Sequence, residues 1–243
     1  MTVLVAVLAA FPAVADAVLP AAIAGDPWLK DLRKSMLRGR DLSDRLLQSL
    51  ADAGEGLAAA RYARRLEARE GTDYLDDAAH YYSIAVYMGR DFAVPRLIAI
   101  LKRPEADFSP SRLRNLRAVL ERAARKGDPG AAAGLADLLM RGKPFGTDIP
   151  EARMLRLAAA EAGDPKAALA LALDLIQGAD GLPPDPEAAG HALDLALASP
   201  DPGVQAMALT LRRQLQRDGA LPAPSAEPPR PRLRPAPPEG AAP

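Results

Sequence analysis

Apolar residues recur at three- and four-residue spacings from about residue 28 to residue 217, with Ala and Leu dominating every stretch. These are strong helix formers without β-branching, so the pattern predicts a chain of helices. A small residue closes an apolar helical stretch, ahead of an acidic or proline-containing step, at Gly54, Gly89, Gly127, Gly163 and Ser199, at intervals of 35, 38, 36 and 36. Counting forward from each of these anchors, the fourth residue is Ala58, Ala93, Ala131, Ala167 or Gly203, always small. The eighth is Tyr62, Leu97, Leu135, Leu171 or Met207, and the twelfth is Leu66, Leu101, Leu139, Leu175 or Leu211. Spacings of four place all three positions on one helix face. Four residues before the anchors stand Leu50, Ala85, Ala123, Ala159 and Leu195, which give a second helix its own apolar row.

Each unit therefore reads as a helical hairpin. Its boundaries have a chemical basis: Asp26-Pro27, Ser109-Pro110, Asp128-Pro129, Asp164-Pro165, Asp185-Pro186 and Asp201-Pro202 each put a capping side chain before a proline suited to the first helical position. The glycine anchors supply left-handed helix ends. One hairpin cannot cover its own apolar face, so the units must stack, and the fold predicted is all-α: a right-handed alpha-solenoid of stacked helical hairpins. Residues 54–217 form its repeats. Residues 26–53 read as a capping hairpin, with helices over Pro27–Leu37 and Leu42–Ala53.

The Gly127 unit resembles the Sel-1-like repeats, relatives of the tetratricopeptide repeats. Gly127-Asp128 opens its first helix, Ala131, Leu135 and Leu139 line it, Gly142 closes it, Asp148 begins the second, and Ala158-Ala159-Ala160-Glu161-Ala162-Gly163 ends it. The Gly54 unit adds Ala78, Ala79, Tyr81 and Tyr82, where the family favours an aromatic pair. Later units depart from this, with Leu155-Arg156 and His191-Ala192 at that place. The resemblance implies an interaction scaffold that holds a protein partner. It also implies that Tyr81 and Tyr82 pack inside their hairpin, and that export and regulation of envelope proteins are among the roles open to the chain.

The ends differ from the middle. Residues 3–15 are uncharged and mostly apolar, and Ala15-Asp16-Ala17 follows as a small-residue cleavage box, so residues 1–17 read as a secretory signal peptide and 18–25 as a short linker. No Lys or Arg precedes the apolar run, and the alternative is a buried N-terminal helix of a cytoplasmic protein. The run is shorter than the ~20 residues a membrane span needs. Residues 218–243, rich in Pro from Leu221 onward, read as a disordered, polyproline-like tail. The location expected is the periplasm or the medium.

Cysteine is absent, which excludes disulfides and thiolate chemistry. Lys and Arg together number 31, as do Asp and Glu, so no overall field draws the chain to nucleic acid or membrane. His80 and His191, the two histidines, lie in different repeats without ligand-spaced neighbours and read as packing or surface residues. Asp73, Asp76 and Asp77 precede a helix, where capping and the helix dipole explain them. No nucleophile, phosphate-loop or metalloprotease motif is present, so no enzyme, cofactor or metal site is expected.

Charge distribution is the feature that stands out. Residues 90–126 carry ten basic side chains against four acidic ones, a local excess of six. Either this is a solvated helix face or it is a patch for an anionic partner. The partner-binding candidates are Tyr74, Tyr87, Arg112, Arg114, Arg117, Arg122, Arg125 and Lys126, the tyrosines because aromatic anchors often dominate binding energy. The chain is expected to be a monomer whose concave surface binds a protein segment. Two further roles remain open: negative regulation of a membrane sensor kinase through its periplasmic domain, and action on peptidoglycan as an envelope enzyme or its activator.

Overall fold

The computed structural model describes residues 19–178 and 182–222; the segment read as a signal peptide, and the tail from residue 223, lie outside them. Helices follow one another along the whole of the described chain, and no β-strand occurs among these residues. A short helix α1 (Ala21–Gly25) leads into α2 (Pro27–Leu37) and α3 (Asp44–Asp52). The next pair is α4 (Gly56–Glu67) and α5 (Leu75–Tyr87), and then a 3-10 turn at Asp91–Ala93 opens onto α6 (Val94–Leu101). Beyond it come α7 (Pro110–Arg125), α8 (Pro129–Arg141), α9 (Ile149–Glu161), α10 (Pro165–Gln177), α11 (Pro186–Leu197) and α12 (Pro202–Arg217).

All six acid-or-serine and proline steps fall where the sequence puts them, each as an N-cap followed by proline in the first helical turn. The caps bond as expected: Asp128 accepts from the Ala131 N–H at 2.8 Å, and Asp148, ahead of α9, from Glu151 at 3.0 Å. At the other ends Gly127 and Gly163 take φ of 88° and 97°, a region open to glycine at no steric cost. Ser199 closes its unit by another route. Its hydroxyl accepts from Asp201 N–H at 3.0 Å and its carbonyl from the Gln205 amide at 2.7 Å.

Consecutive helices pack antiparallel as hairpins, and hairpins stack: α5 lies on α7, α6 on α8, α7 on α9, α9 on α11 and α10 on α12. This is the alpha-solenoid read from the repeat. The register residues fill it, with Ala58, Ala93, Leu97, Ala131, Leu135 and Leu139 wholly buried. Each such leucine contributes about 2 kcal/mol by leaving water. The fifth register behaves differently: Gly203 is exposed and Met207 is 53% exposed. In the Gly54 unit the equivalent Tyr62 meets Tyr81 of the second helix edge-on at 4.7 Å, and no second helix follows α12 among the described residues.

Two boundaries depart from the sequence reading. The stretch read as a linker, 18–25, carries α1, whose Ile23 is wholly buried, because an apolar side chain there reaches the cap's core. The tail read from residue 218 begins as a strap. Ala220 and Leu221 donate to the Leu215 carbonyl, and Leu221 packs over Gly190 of α11.

The core is divided. One cluster runs from Ile23 to Ala152 and a second from Ala160 to Leu215, separated by a seam of Ala132, Ala159 and Ala167. Arg156, 8% exposed, clamps this seam by pairing with Asp137 of α8 at 3.1 Å and with Asp174 of α10. A buried cation thus stands where the Gly54 unit has Tyr82.

Candidate functional site

Helix α7 carries most of the basic excess, and three of its edges meet three different environments. Toward α5, Arg112 pairs with both oxygens of Asp76, its Nε 3.1 and 3.3 Å away. Farther along, the Arg122 guanidinium lies 4.1 Å over the ring of Tyr87, the last residue of α5. Toward α9, Arg117 donates to Glu121 at 2.7 Å and to Glu151 at 2.5 Å. On the crest, Arg114 and Lys126 are exposed and have no ion-pair partner among the described residues, and Arg125 reaches Glu121 only at 3.7 Å.

The excess of six is therefore largely answered by acids from outside residues 90–126. Arg90 faces Glu55 at 3.9 Å, Arg96 and Arg103 face Glu67 at 3.7 and 3.8 Å, and Lys102 bonds Asp137 at 3.2 Å. These pairs cross between neighbouring units, so most of the local charge ties repeats together. What stays free is a narrow crest rather than a broad basic patch.

Between α7 and α9 runs a groove of about 370 Å³, floored by Ala124, Leu155 and Ala158 and flanked by Glu121, Arg125, Glu151 and Met154. Met154 is 68% exposed and Tyr87 49% exposed. The face from Tyr87 through Arg122 and Arg125 to Met154 thus combines apolar area with oriented cations, as protein-binding surfaces do. Of the eight candidates, Tyr87, Arg122 and Arg125 belong to this face, and Arg114 and Lys126 stand on the same helix. Arg112 and Arg117 serve the packing between helices. Tyr74 is half-buried against the core with the Arg69 guanidinium 4.7 Å over its ring. Sequence reasoning missed Met154. The signal was available: a long apolar side chain outside the register rows.

Tyr81 and Tyr82 are structural. Tyr81 donates to Asp52 at 2.9 Å and Tyr82 to Glu67 at 2.8 Å, both buried within their hairpin. Burial, then the Asp52 carboxylate, pushes the Tyr81 phenol up to about 12, and burial and Glu67 push Tyr82 up too. Both bind their proton more tightly folded than unfolded. Stability should hold below about pH 10 and fall as pH rises toward about 12. Circular dichroism with phenolate absorbance checks this: helix loss and the last phenolate signal should coincide, and the double variant Tyr81→Phe/Tyr82→Phe should flatten that limb.

His80 is half-buried, its pKa lowered by burial and by Arg112, while His191 is exposed. Asp76 and Asp77 lie in the first turn of α5 as expected, but the N-cap is Tyr74, without a side-chain bond, and Asp76 is spent on Arg112. Among the described residues no cluster of three His, Cys, Asp or Glu is placed to hold a metal ion, and no helix is long and apolar enough to cross a membrane.

Comparison with solved structures places the class. The chain is similar to a Sel1 repeat protein from Oxalobacter formigenes, with 22% identity over 82% of this chain and 52% of that one, at a TM-score of 0.53. It is also similar to a protective antigen present in uropathogenic Escherichia coli strains displaying an SLR fold, with 20% identity over 76% of this chain and 44% of that one, at a TM-score of 0.47. The fold is therefore that of the Sel1-like repeat proteins. The chain spans about half the length of these two proteins. No protein-family model matches the sequence, and no curated protein matches it either.

Proposed function

We propose that this chain is a non-catalytic scaffold or adaptor of the cell envelope, periplasmic or secreted, that holds a segment of a partner protein against the face formed by α5, α7 and α9. The observation that carries this reading is the α7–α9 groove with Met154 exposed at its wall, and Tyr87 exposed at the end of α5 under Arg122 of the same α7. Leaving two large apolar side chains in water has no benefit for the monomer. Beside the arginines of α7 they suit a surface that a partner covers. The helical-repeat fold favours the same reading, because stacked hairpins present long surfaces for extended ligands. Export rests on the apolar run and cleavage box of residues 1–17.

The test uses the full chain as bait on a solubilised envelope fraction, with the double variant Tyr87→Ala/Met154→Asp alongside. A partner held by the native chain should be lost from the variant, since truncating each anchor costs about 2 kcal/mol where it fills a partner's pocket. Equal retention by both baits, with helix content unchanged, would remove this face from the proposal.

A further inference from the structure

A second concavity lies on the edge of the solenoid where the first helices of the units end. Its volume is about 290 Å³, and it is walled by the α6–α7 and α8–α9 connections. Four cations line it: Lys102 and Arg103 from the end of α6, and Arg141 and Lys143 from the end of α8. The half-buried Phe108 and Pro144 supply apolar walls. No carboxylate is among its lining residues, and Glu105 and Asp107 of the same connection are exposed outside it. None of its lining residues is shared with the α7–α9 groove.

Cations at helix C-termini have an ordinary explanation, since each helix end carries about half a negative charge. The charges can be weighed. Lys102 is answered by Asp137 at 3.2 Å and Arg103 by Glu67 at 3.8 Å. The ends of α6 and α8 together offset about one more charge. Arg141 and Lys143 have no ion-pair partner among the described residues, so an excess of about one positive charge remains at the rim. The first turns of α5, α9 and α11 carry acids, but Asp76 is taken up by Arg112 and Glu151 by Arg117, so neither is free to balance this rim. Helix α7, which begins beside this pocket, has no acid in its first turn.

From this imbalance we infer that the pocket takes one carboxylate of an acidic segment of the partner protein, an Asp or Glu side chain beside an apolar residue that rests on Phe108 and Pro144. The inference rests on the scaffold reading and adds to it the chemistry of the partner and a second point of attachment. The carboxylate sits between Arg141 and Lys143, where an anion offsets the excess charge of the rim.

The test measures fluorescence anisotropy of a labelled, amidated peptide alternating Leu and Glu, with its Leu and Gln counterpart, on the full chain at low salt. The Glu peptide should bind and the Gln peptide should not. The double variant Arg141→Gln/Lys143→Gln should weaken the Glu peptide about tenfold, as two rim ion pairs are lost, while Arg213→Gln/Arg217→Gln on α12 should change it less than about twofold. Absence of binding, equal binding of both peptides, or equal weakening by the α12 variant overturns the inference. So does displacement of the peptide by inorganic phosphate at the free peptide's own effective concentration, which makes this a phosphate site. If the envelope partner is still retained through Tyr87 and Met154 while the Glu peptide does not bind, the pocket inference fails and the scaffold reading stands.

Discussion

Leucine at Gly134 should destabilise the fold by about 3 kcal/mol or more, and alanine there by clearly less. Gly134 lies in α8 where that helix crosses α6, and it is buried. A methyl group built on it overlaps Cδ1 of Ile98 and comes within 2.9 Å of its Cγ1. One turn earlier Gly130 faces Val94 at 3.9 Å, so two glycines of α8 meet two β-branched residues of α6. Turning the end of Ile98 clears Cδ1 for alanine but not Cγ1, so Ile98 must shift as a whole, against which alanine regains about 1 kcal/mol of helix propensity. Leucine cannot be accommodated that way. Its branch points would meet the fully buried Leu97 layer beside Ile98, and the helices would have to part. Urea unfolding followed by circular dichroism separates the cases, with the leucine variant moving the midpoint strongly and the alanine variant moving it less. If leucine left the midpoint in place, the close α6–α8 crossing would be wrong.

That crossing marks a limit of what the sequence discloses. The register at the fourth, eighth and twelfth positions after each anchor predicted which residues are buried in the first four units, because it records contacts repeated in every hairpin. Gly134 occupies the seventh position, where the other units have Arg61, Arg96, Ala170 and Ala206, so no periodicity singles it out. Its partner Ile98 depends on how two particular units meet. The same holds for Arg156. As a departure from the repeat it weakens the resemblance of its unit, yet in space it joins α8, α9 and α10 across the seam of alanines.

The candidate site was legible in part for a related reason. Charge was counted along the chain, but its partners lie a unit away: Asp76 is 36 residues from Arg112 and Glu151 is 34 from Arg117. A spacing near the repeat length is what stacking produces, so an arginine and an acid about one unit apart can be read as a bridge between neighbours. Applied to the basic stretch, that criterion finds the partners of Arg90, Lys102, Arg103, Arg112 and Arg117, but it also offers Asp77 to Arg114 and Glu161 to Lys126, pairs that the structure does not form among the described residues. The α7–α9 groove had no such signature, since its floor of Ala124, Leu155 and Ala158 comes from two helices at unrelated register positions.

The other large effect should come from Glu55→Ala, with a loss of about 3 kcal/mol or more. Glu55 is 3% exposed and caps α4, its Oε2 accepting from the Ala58 N–H at 2.7 Å. Its other oxygen lies 3.4 Å from Nε of Arg33 on α2 and 3.9 Å from Nη2 of Arg90, which follows α5. One carboxylate therefore serves the capping hairpin, the first repeat and the entry to the second. The Nε atoms of Arg33 and Arg90 are buried without a hydrogen bond among the described residues, so the charge of Glu55 is what offsets their desolvation. Alanine removes the cap, worth about 1 kcal/mol, and also leaves two guanidiniums facing each other at close range. Glutamine keeps the acceptor for Ala58 and loses only the charge, so Glu55→Gln should fall between alanine and the native chain. Replacing all three, as Arg33→Met/Glu55→Gln/Arg90→Met, should cost less than Glu55→Ala alone, because no half-buried cation is then left uncompensated. Thermal unfolding of the four chains tests the order. If the triple variant were the least stable, the three side chains would be holding the cap by packing along their stems, and the charge of Glu55 would not be the link between the units.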